Sequence, residues 1–418
     1  AVFKLQTPDK CGACHLENLQ SYRHFHHGQL TRLGFHQSAK CFDCHESHKI
    51  LSVKDPQSTV HPDNRLKTCQ QCHDGKKRPL ATQGFASFNP HANPRDFARH
   101  PQLASAARFM SGLLWSVVLF FLCHSVLWYH RERLERKQGS PAPMPEGLRL
   151  DPSRQHIQRF SPFWRALHLL FALAVMTLLL TGMTLPKAHT AWAAVVSHWL
   201  GGAQSMGEIH RGAALVLVGI FATHLVALLQ RLLRDRQFAW FGPDSLLPNR
   251  KDFLDCRDMF LWFFGRGEKP RFERFTYYEK FDYWAVFWGI ALIGSSGAVL
   301  AFPHLAGNHL EGWIFNVALL VHREEAYLAA LFLFTVHLFN NHFRPDKHPP
   351  PDIVMFTGRQ SLEALRRDHP AQFERLLAEG RLADQCVPPP SSRLRMGAIL
   401  LGWLLIGSGM LLLFLTVA

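Results

Sequence analysis

The chain has 418 residues, with 46 Lys and Arg against 32 Asp and Glu, a net charge of +14 and a mean hydropathy of −0.05. That average hides a polar, His-rich segment up to about residue 106 and a remainder with long apolar runs, which excludes an ordinary soluble globular protein. An excess of cations often marks nucleic-acid binding, but here Lys and Arg crowd particular loops between apolar segments, so the charge reads as a topology signal and nucleic acid is excluded.

Three pentads come first: Cys11-Gly-Ala-Cys14-His15, Cys41-Phe-Asp-Cys44-His45 and Cys69-Gln-Gln-Cys72-His73. This is the attachment signature of c-type haem. Two thiols add across the haem vinyl groups, and the adjacent His becomes an axial iron ligand. A lone Cys-x-x-Cys also fits a redox dithiol or half a zinc site. Three copies with His directly after the second Cys, in a His-rich stretch, predict three covalent c haems. Distal ligands come from His24, His26, His27, His36, His48, His61, His91 and His100. The Tyr22–Gly28 and Cys44–His48 stretches resemble distal-ligand segments of small multihaem cytochromes, so His27, His48 and His91 are expected, with His61 and His100 in reserve. Few helices and much loop are expected. The remaining cysteines, Cys123, Cys256 and Cys386, are too scattered for a disulfide framework. Covalent c haem is attached outside the cytoplasmic membrane, so a chain starting at Ala1 is expected to have lost a secretory signal.

Apolar runs long enough to cross a bilayer occur near 108–129, 164–186, 211–230, 281–302, 319–339 and 396–417. The loop near 130–163 carries Arg131, Arg133, Arg136, Lys137, Arg149, Arg154 and Arg159. The loop near 231–280 carries eleven Lys and Arg, Arg236 among them, and 344–395 is also basic. Loops 187–210 and 303–318 contain only Lys187. The positive-inside rule places the basic loops in the cytoplasm and both termini in the periplasm, where the c haems must be. The Pro-rich stretches Ser140–Pro145 and Pro349–Asp352 read as stiff connectors. Ser361–Gly380 reads as a solvated amphipathic helix.

His inside a hydrophobic span is rare and expensive. His210 and His224 are fourteen residues apart, and His322 and His337 fifteen. At about 1.5 Å per residue each pair spans roughly 21–23 Å with both members on one helix face. Two such helices suit two haems, one near each leaflet, each iron between two imidazoles. His210 and His322 are the periplasmic-side candidates. His337, His168, His224 and His124 oversupply the cytoplasmic side, so spare imidazoles are available for quinone, for protons or for a third b haem.

Arg159-Phe-Ser-Pro-Phe-Trp-Arg165-Ala-Leu-His168, continuing to Leu180-Thr-Gly182, together with Ile209-His210-Arg211, Glu279–Trp284, Gly297 and His322 through His337, resembles the cytochrome b subunits of respiratory formate dehydrogenases and nickel-iron hydrogenases over residues 155–345. The resemblance implies His210 and His322 on the periplasmic haem, and His168 and His337 on the cytoplasmic haem beside a quinone site. His224, an extra first span with His124, and the fused c domain depart from that family. The architecture is similar to multihaem-c/cytochrome-b fusions of bacterial respiratory chains.

The expected fold is mainly α. A loop-rich tri-haem domain (1–106) precedes a six-helix transmembrane bundle: five spans in 107–343, a cytoplasmic loop with an amphipathic helix in 344–395, and the sixth span in 396–418. The expected function is electron transfer, in the bacterial inner membrane, between menaquinone or ubiquinone and a periplasmic cytochrome or a dehydrogenase or reductase subunit. The cofactors are three c haems and two b haems, and the setting is a hetero-oligomeric complex. The alternatives are a catalytic c haem acting on a small substrate, or a membrane anchor for a catalytic subunit. Lys280, Asp282, Asn341 and His342 are the polar groups expected near quinone. No nucleotide, flavin or molybdenum motif is present.

Overall fold

The computed structural model describes residues 2–76, 78–136, 155–235 and 238–418. The Ser140–Pro145 connector, Lys137, Arg149, Arg154 and Arg236 lie outside the described residues. The molecule is mainly helical. Its N-terminal hundred residues form short helices and loops, and each Cys-x-x-Cys-His folds as one helical turn. His15 N–H donates to Cys11 O (3.1 Å) and His73 N–H to Cys69 O (2.9 Å), while Cys41–His45 is itself a helix.

Among the described residues five helices are long and apolar enough to cross a membrane: α1 (Pro101–Arg136), α2 (Pro162–Met183), α3 (Ala203–Arg234), α5 (Tyr277–Ala301) and α9 (Ser392–Val417). α1 begins before the expected boundary at 106. Local chemistry sets other starts. Pro162 occupies the first turn of α2, where its missing N–H costs nothing. Thr276 and Glu279 form a capping box on α5. The run expected as a further span is α6 (Gly312–Leu331), continuing through two wide π-helical stretches, Phe332–His337 and Phe339–Phe343. It carries Arg323, Glu324 and Glu325 in its middle, which sets its composition apart from the other five.

The bundle is built from two helix pairs, α2 with α3 and α5 with α6, with α1 and α9 packed along α6. At the end away from the N-terminal domain, the stretch expected as loop contains α4 (Arg250–Phe263). α4 buries Met259, Trp262 and Phe263 against Trp128 and exposes Phe253, and Phe264 just past its end is also exposed.

The Ser361–Gly380 expectation is corrected. The segment is two helices, α7 (Leu362–Asp368) and α8 (Pro370–Ala378), packed on a three-stranded antiparallel sheet. β1 (His156–Gln158) is central, pairing His156 with Ser361 of β2 (Arg359–Ser361) and with Val387 of β3 (Cys386–Val387). The helices' apolar faces meet Ile157 and Cys386 rather than water, giving a core with Leu365, Phe373 and Leu376. Sequence periodicity shows an apolar face but not its partner, which arrives here from two hundred residues upstream.

Buried ions fasten this unit to the bundle. Lys347 binds Asp352 (2.9 Å) and Asp368 (3.0 Å), and Arg344 forms an ion pair with Asp346 (3.2 Å) and donates to the Tyr278 hydroxyl (2.7 Å). Burial alone would raise the Asp368 carboxyl, but Lys347, Arg367 and Arg344 outweigh it and hold it well below the usual range.

The N-terminal domain docks on the turn before α6. Gly84 N–H donates to Gly307 O (3.2 Å), Ser87 accepts from Gly312 N–H (3.0 Å), and Asn316 clasps the backbone of Asn89. A Cβ on Gly84 would stand 2.2 Å from Leu310 O, so glycine is required at this approach. The 303–318 loop thus serves as a docking face for the chain's own N-terminal domain.

Asp368→Asn leaves Lys347 buried with its charge half compensated and is expected to destabilise the sheet unit by about 3–5 kcal/mol. Hydrogen exchange of the 156–160 and 359–387 amides reads the loss. Because the Asp368 carboxyl is depressed, its contribution in the parent chain is present above the ordinary carboxylate range and lost only as pH falls far below it.

Candidate functional site: paired imidazoles

Two imidazole pairs form in the N-terminal domain. His27 faces His73 with ring centres 6.3 Å apart, and His45 faces His91 at 6.5 Å. Two metal–imidazole bonds of about 2.0 Å, plus the distance from each nitrogen to its ring centre, put opposed rings roughly 6.3 Å apart. His91 Nδ1 is held by Ser21 Oγ (2.8 Å) and His73 Nδ1 by Pro79 O (3.3 Å), leaving Nε2 of each as the free nitrogen. Burial, with His26, His73, Arg78 and Lys40 adding repulsion, lowers the His27 pKa to about 3, so its ring stays neutral and able to ligate.

Burial pushes the Cys44 thiol up to about 12 and the Cys41 thiol to about 11. A reactive dithiol needs the opposite shift. Of the expected distal ligands, His27 and His91 are therefore brought against pentad histidines. His48 is exposed, with no imidazole stacked on it among the described residues. His15 is also exposed, and it adds repulsion to the burial that lowers the His45 pKa.

The third pair lies in the bundle. His210 on α3 and His322 on α6 have ring centres 6.3 Å apart. The helix preceding each in the chain supplies the same device. Thr181 Oγ1 donates to Thr177 O (2.7 Å), so it must accept from His210 Nδ1–H (2.8 Å), and Leu178 O accepts from the same ring. Ser296 Oγ donates to Leu292 O (2.6 Å) and accepts from His322 Nδ1–H (3.2 Å), with Ile293 O at 3.1 Å. Both tautomers are thereby fixed with bare Nε2. The next residues, Gly182 and Gly297, let the rings in close: a Cβ on either would stand 3.1 Å from the imidazole Cε1.

At the other end His168 and His337 are near neighbours, with His342 close by. His337 Nδ1–H donates to the Asp282 carboxylate (3.2 Å), and Asn341 Nδ2 donates to the His337 backbone carbonyl (2.8 Å), an arrangement that fixes the ring with Nε2 bare. His224 and His124 are placed differently. His224 Nε2 is taken by the Tyr283 hydroxyl (2.8 Å). His124, fully buried among Phe120, Trp128 and Phe263, gives Nε2 to the Tyr277 hydroxyl (2.5 Å). The polar groups expected near quinone also divide. Asp282, Asn341 and His342 surround His337, whereas buried Lys280 pairs with Asp252 (2.8 Å) on the wall of a separate cavity of about 790 Å³.

Among the described residues no cluster of three or more His, Cys, Asp or Glu is placed to hold a bare metal ion. Paired imidazoles are instead what an iron already ringed by four porphyrin nitrogens requires, so the residues fit haem. Sequence reading missed Thr181, Ser296 and Tyr283. Their available signal was the hydroxyl–glycine dipeptide, Thr181-Gly182 and Ser296-Gly297, repeated on two spans. No family model, curated protein or solved structure matches this chain.

Thr181→Val keeps the side-chain volume and removes the acceptor. It would weaken retention of a haem held between His210 and His322 about 10-fold or more and raise the midpoint potential of such a centre, while Thr181→Ser would restore both. Redox titration of the haem-loaded protein reads this, and equal behaviour of Val and Ser would make the residue a packing element only. In a chain carrying the three c haems expected from the pentads, His27→Leu would convert one centre to high spin in electron paramagnetic resonance and leave the covalent haem count unchanged.

Proposed function

We propose that the chain is a membrane electron-transfer cytochrome linking the quinone pool to a periplasmic redox partner, within a hetero-oligomeric respiratory complex. It holds three c haems through Cys11/Cys14, Cys41/Cys44 and Cys69/Cys72. Two b haems sit at His210/His322 and His168/His337. α6 with its π-helical continuation is the sixth span, and both termini face the periplasm. The observation that carries this reading is the recurrence of one imidazole-pair geometry, 6.3–6.5 Å between ring centres, in the pentad domain and again inside the bundle.

Bound haem iron supplies reversible one-electron chemistry. The chain's own work is to fix tautomers, fill axial positions and exclude water. It also fixes spacing. Phe85 contacts the His73 ring (5.2 Å) and Phe315 (5.8 Å), and Phe315 precedes His322 by two turns of α6, about 10 Å. The pair nearest the bundle is thus seated on the helix that carries His322. The quinone assignment rests on the resemblance that Arg159–His168, Ile209–Arg211 and His322 through His337 bear, as sequence, to the cytochrome b subunits of respiratory formate dehydrogenases and nickel-iron hydrogenases.

One observation favours a second reading for a single centre. Exposed His15, without a stacked imidazole, suits an iron open to a small substrate; a high-spin ferric signal that shifts on adding nitrite would support it.

A pyridine haemochrome of the purified chain is expected to give three c and two b haems. Short-chain quinol is expected to reduce the b haems before the c haems. Absence of b haem would overturn the proposal.

A further inference from the structure

The bundle contains an internal repeat that extends past the haem pair. Leu178, Thr181 and Gly182 on α2 serve His210 on α3 as Ile293, Ser296 and Gly297 on α5 serve His322 on α6. Counting fourteen residues back from each glycine gives His168 on α2 and Tyr283 on α5. Counting on from each histidine gives His224 at fourteen and His337 at fifteen. The odd residue falls in the wide turns at Phe332–His337, which take up one extra residue per turn. The repeat therefore relates two pairs at the far end: His337 with His168, and His224 with Tyr283. In the first, both members are imidazoles. In the second a phenol replaces one of them and closes directly on the other at 2.8 Å, a hydrogen-bond length with no space for an ion between.

A polar pair inside apolar helices is costly, and this one is not needed for iron. Its setting is aromatic and half-buried on the flank of the bundle. Trp164 lies 5.4 Å from the His224 ring, Phe287 lies 6.0 Å from it, and Phe221 packs on Phe287 at 5.0 Å. Trp164 is one turn before His168 on the same face of α2. Flat rings beside a phenol hydroxyl and an imidazole nitrogen suit a planar ligand with ring oxygens that enters from lipid.

We infer that His224 and Tyr283 bind the headgroup of a quinone, giving up their mutual hydrogen bond for bonds to its ring oxygens, with Trp164 and Phe287 against its plane. This rests on the quinone-linked reading above and gives it a site apart from the Asp282–Asn341–His342 group around His337.

The test uses the full haem-loaded chain in lipid nanodiscs, photolabelled with azido derivatives of a short-chain ubiquinone and of menadione. Label is expected on Trp164, Phe221, Tyr283 or Phe287. Affinity should fall roughly tenfold in Tyr283→Phe and in His224→Phe, the loss of one hydrogen bond to the ligand, with haem content unchanged. Label confined to the Asp282–His342 group, with both variants binding normally, would overturn this site and leave the quinone reading standing. Loss of a b haem in His224→Phe would overturn it by making His224 an iron ligand. No saturable binding of either quinone to the parent chain would remove the quinone reading itself.

Discussion

An imidazole in an apolar bundle must satisfy Nδ1–H before its other nitrogen can serve anything, because an orphaned donor there costs several kcal/mol. His210 and His322 meet that constraint identically, with a hydroxyl and a carbonyl of the neighbouring helix taking the proton. The hydroxyl can accept only because its own proton is committed to its helix backbone. The bond reaches across only where the helices nearly touch, hence Gly182 and Gly297 immediately after Thr181 and Ser296. Ring position, helix spacing and tautomer thus have a common origin.

The rest of the bundle follows from meeting that constraint twice. It makes α2/α3 and α5/α6 equivalent units, which then carry further groups at equivalent depths. Equivalence of position does not make equivalence of chemistry. His168 lies near His337, whose Nδ1 is tied to Asp282, whereas Tyr283 occupies the matching place opposite His224 and ends the pair as a hydrogen bond. Glu325, one turn beyond His322 and 3% exposed, shows how far the interior departs from a plain apolar core. Its carboxylate rests beside Trp288 and Gly289, with one oxygen unpartnered in the protein.

What was legible in the sequence was what depends on short-range spacing. The pentads were legible as haem-attachment units because their five residues act within one short turn, and in space each closes a single i to i+4 turn. His210 and His322 were legible as a pair because their depths coincide. What was not legible depends on partners brought from afar. His224 has the spacing of a ligand, yet a residue fifty-nine positions later takes its nitrogen. His48 sits where a distal ligand is expected but stays on the surface, whereas His91, from the other end of the domain, faces His45. The sheet unit was hidden for the same reason: β1, β2 and β3 are three-residue or two-residue strands whose pairing spans more than two hundred positions.

The basic loops carry two meanings at once. Read along the sequence, their Lys and Arg are a topology signal, since orientation follows the count of cations and responds little to neighbouring acids. Read in space, several are spoken for. Lys269 binds Glu132, Lys280 binds Asp252, Arg375 binds Asp244 and Glu273, and Arg344 lies over Trp128 at 4.4 Å while bonding Asp346. These pairs join α1, α4, α5 and the sheet unit into one cap over the end of the bundle that holds His168 and His337. A cap of buried and half-buried ion pairs is specific in register rather than strong, and that suits its place. The helices beneath it must keep Asp282 against His337 to within hydrogen-bond tolerance, and apolar packing alone would let them slide.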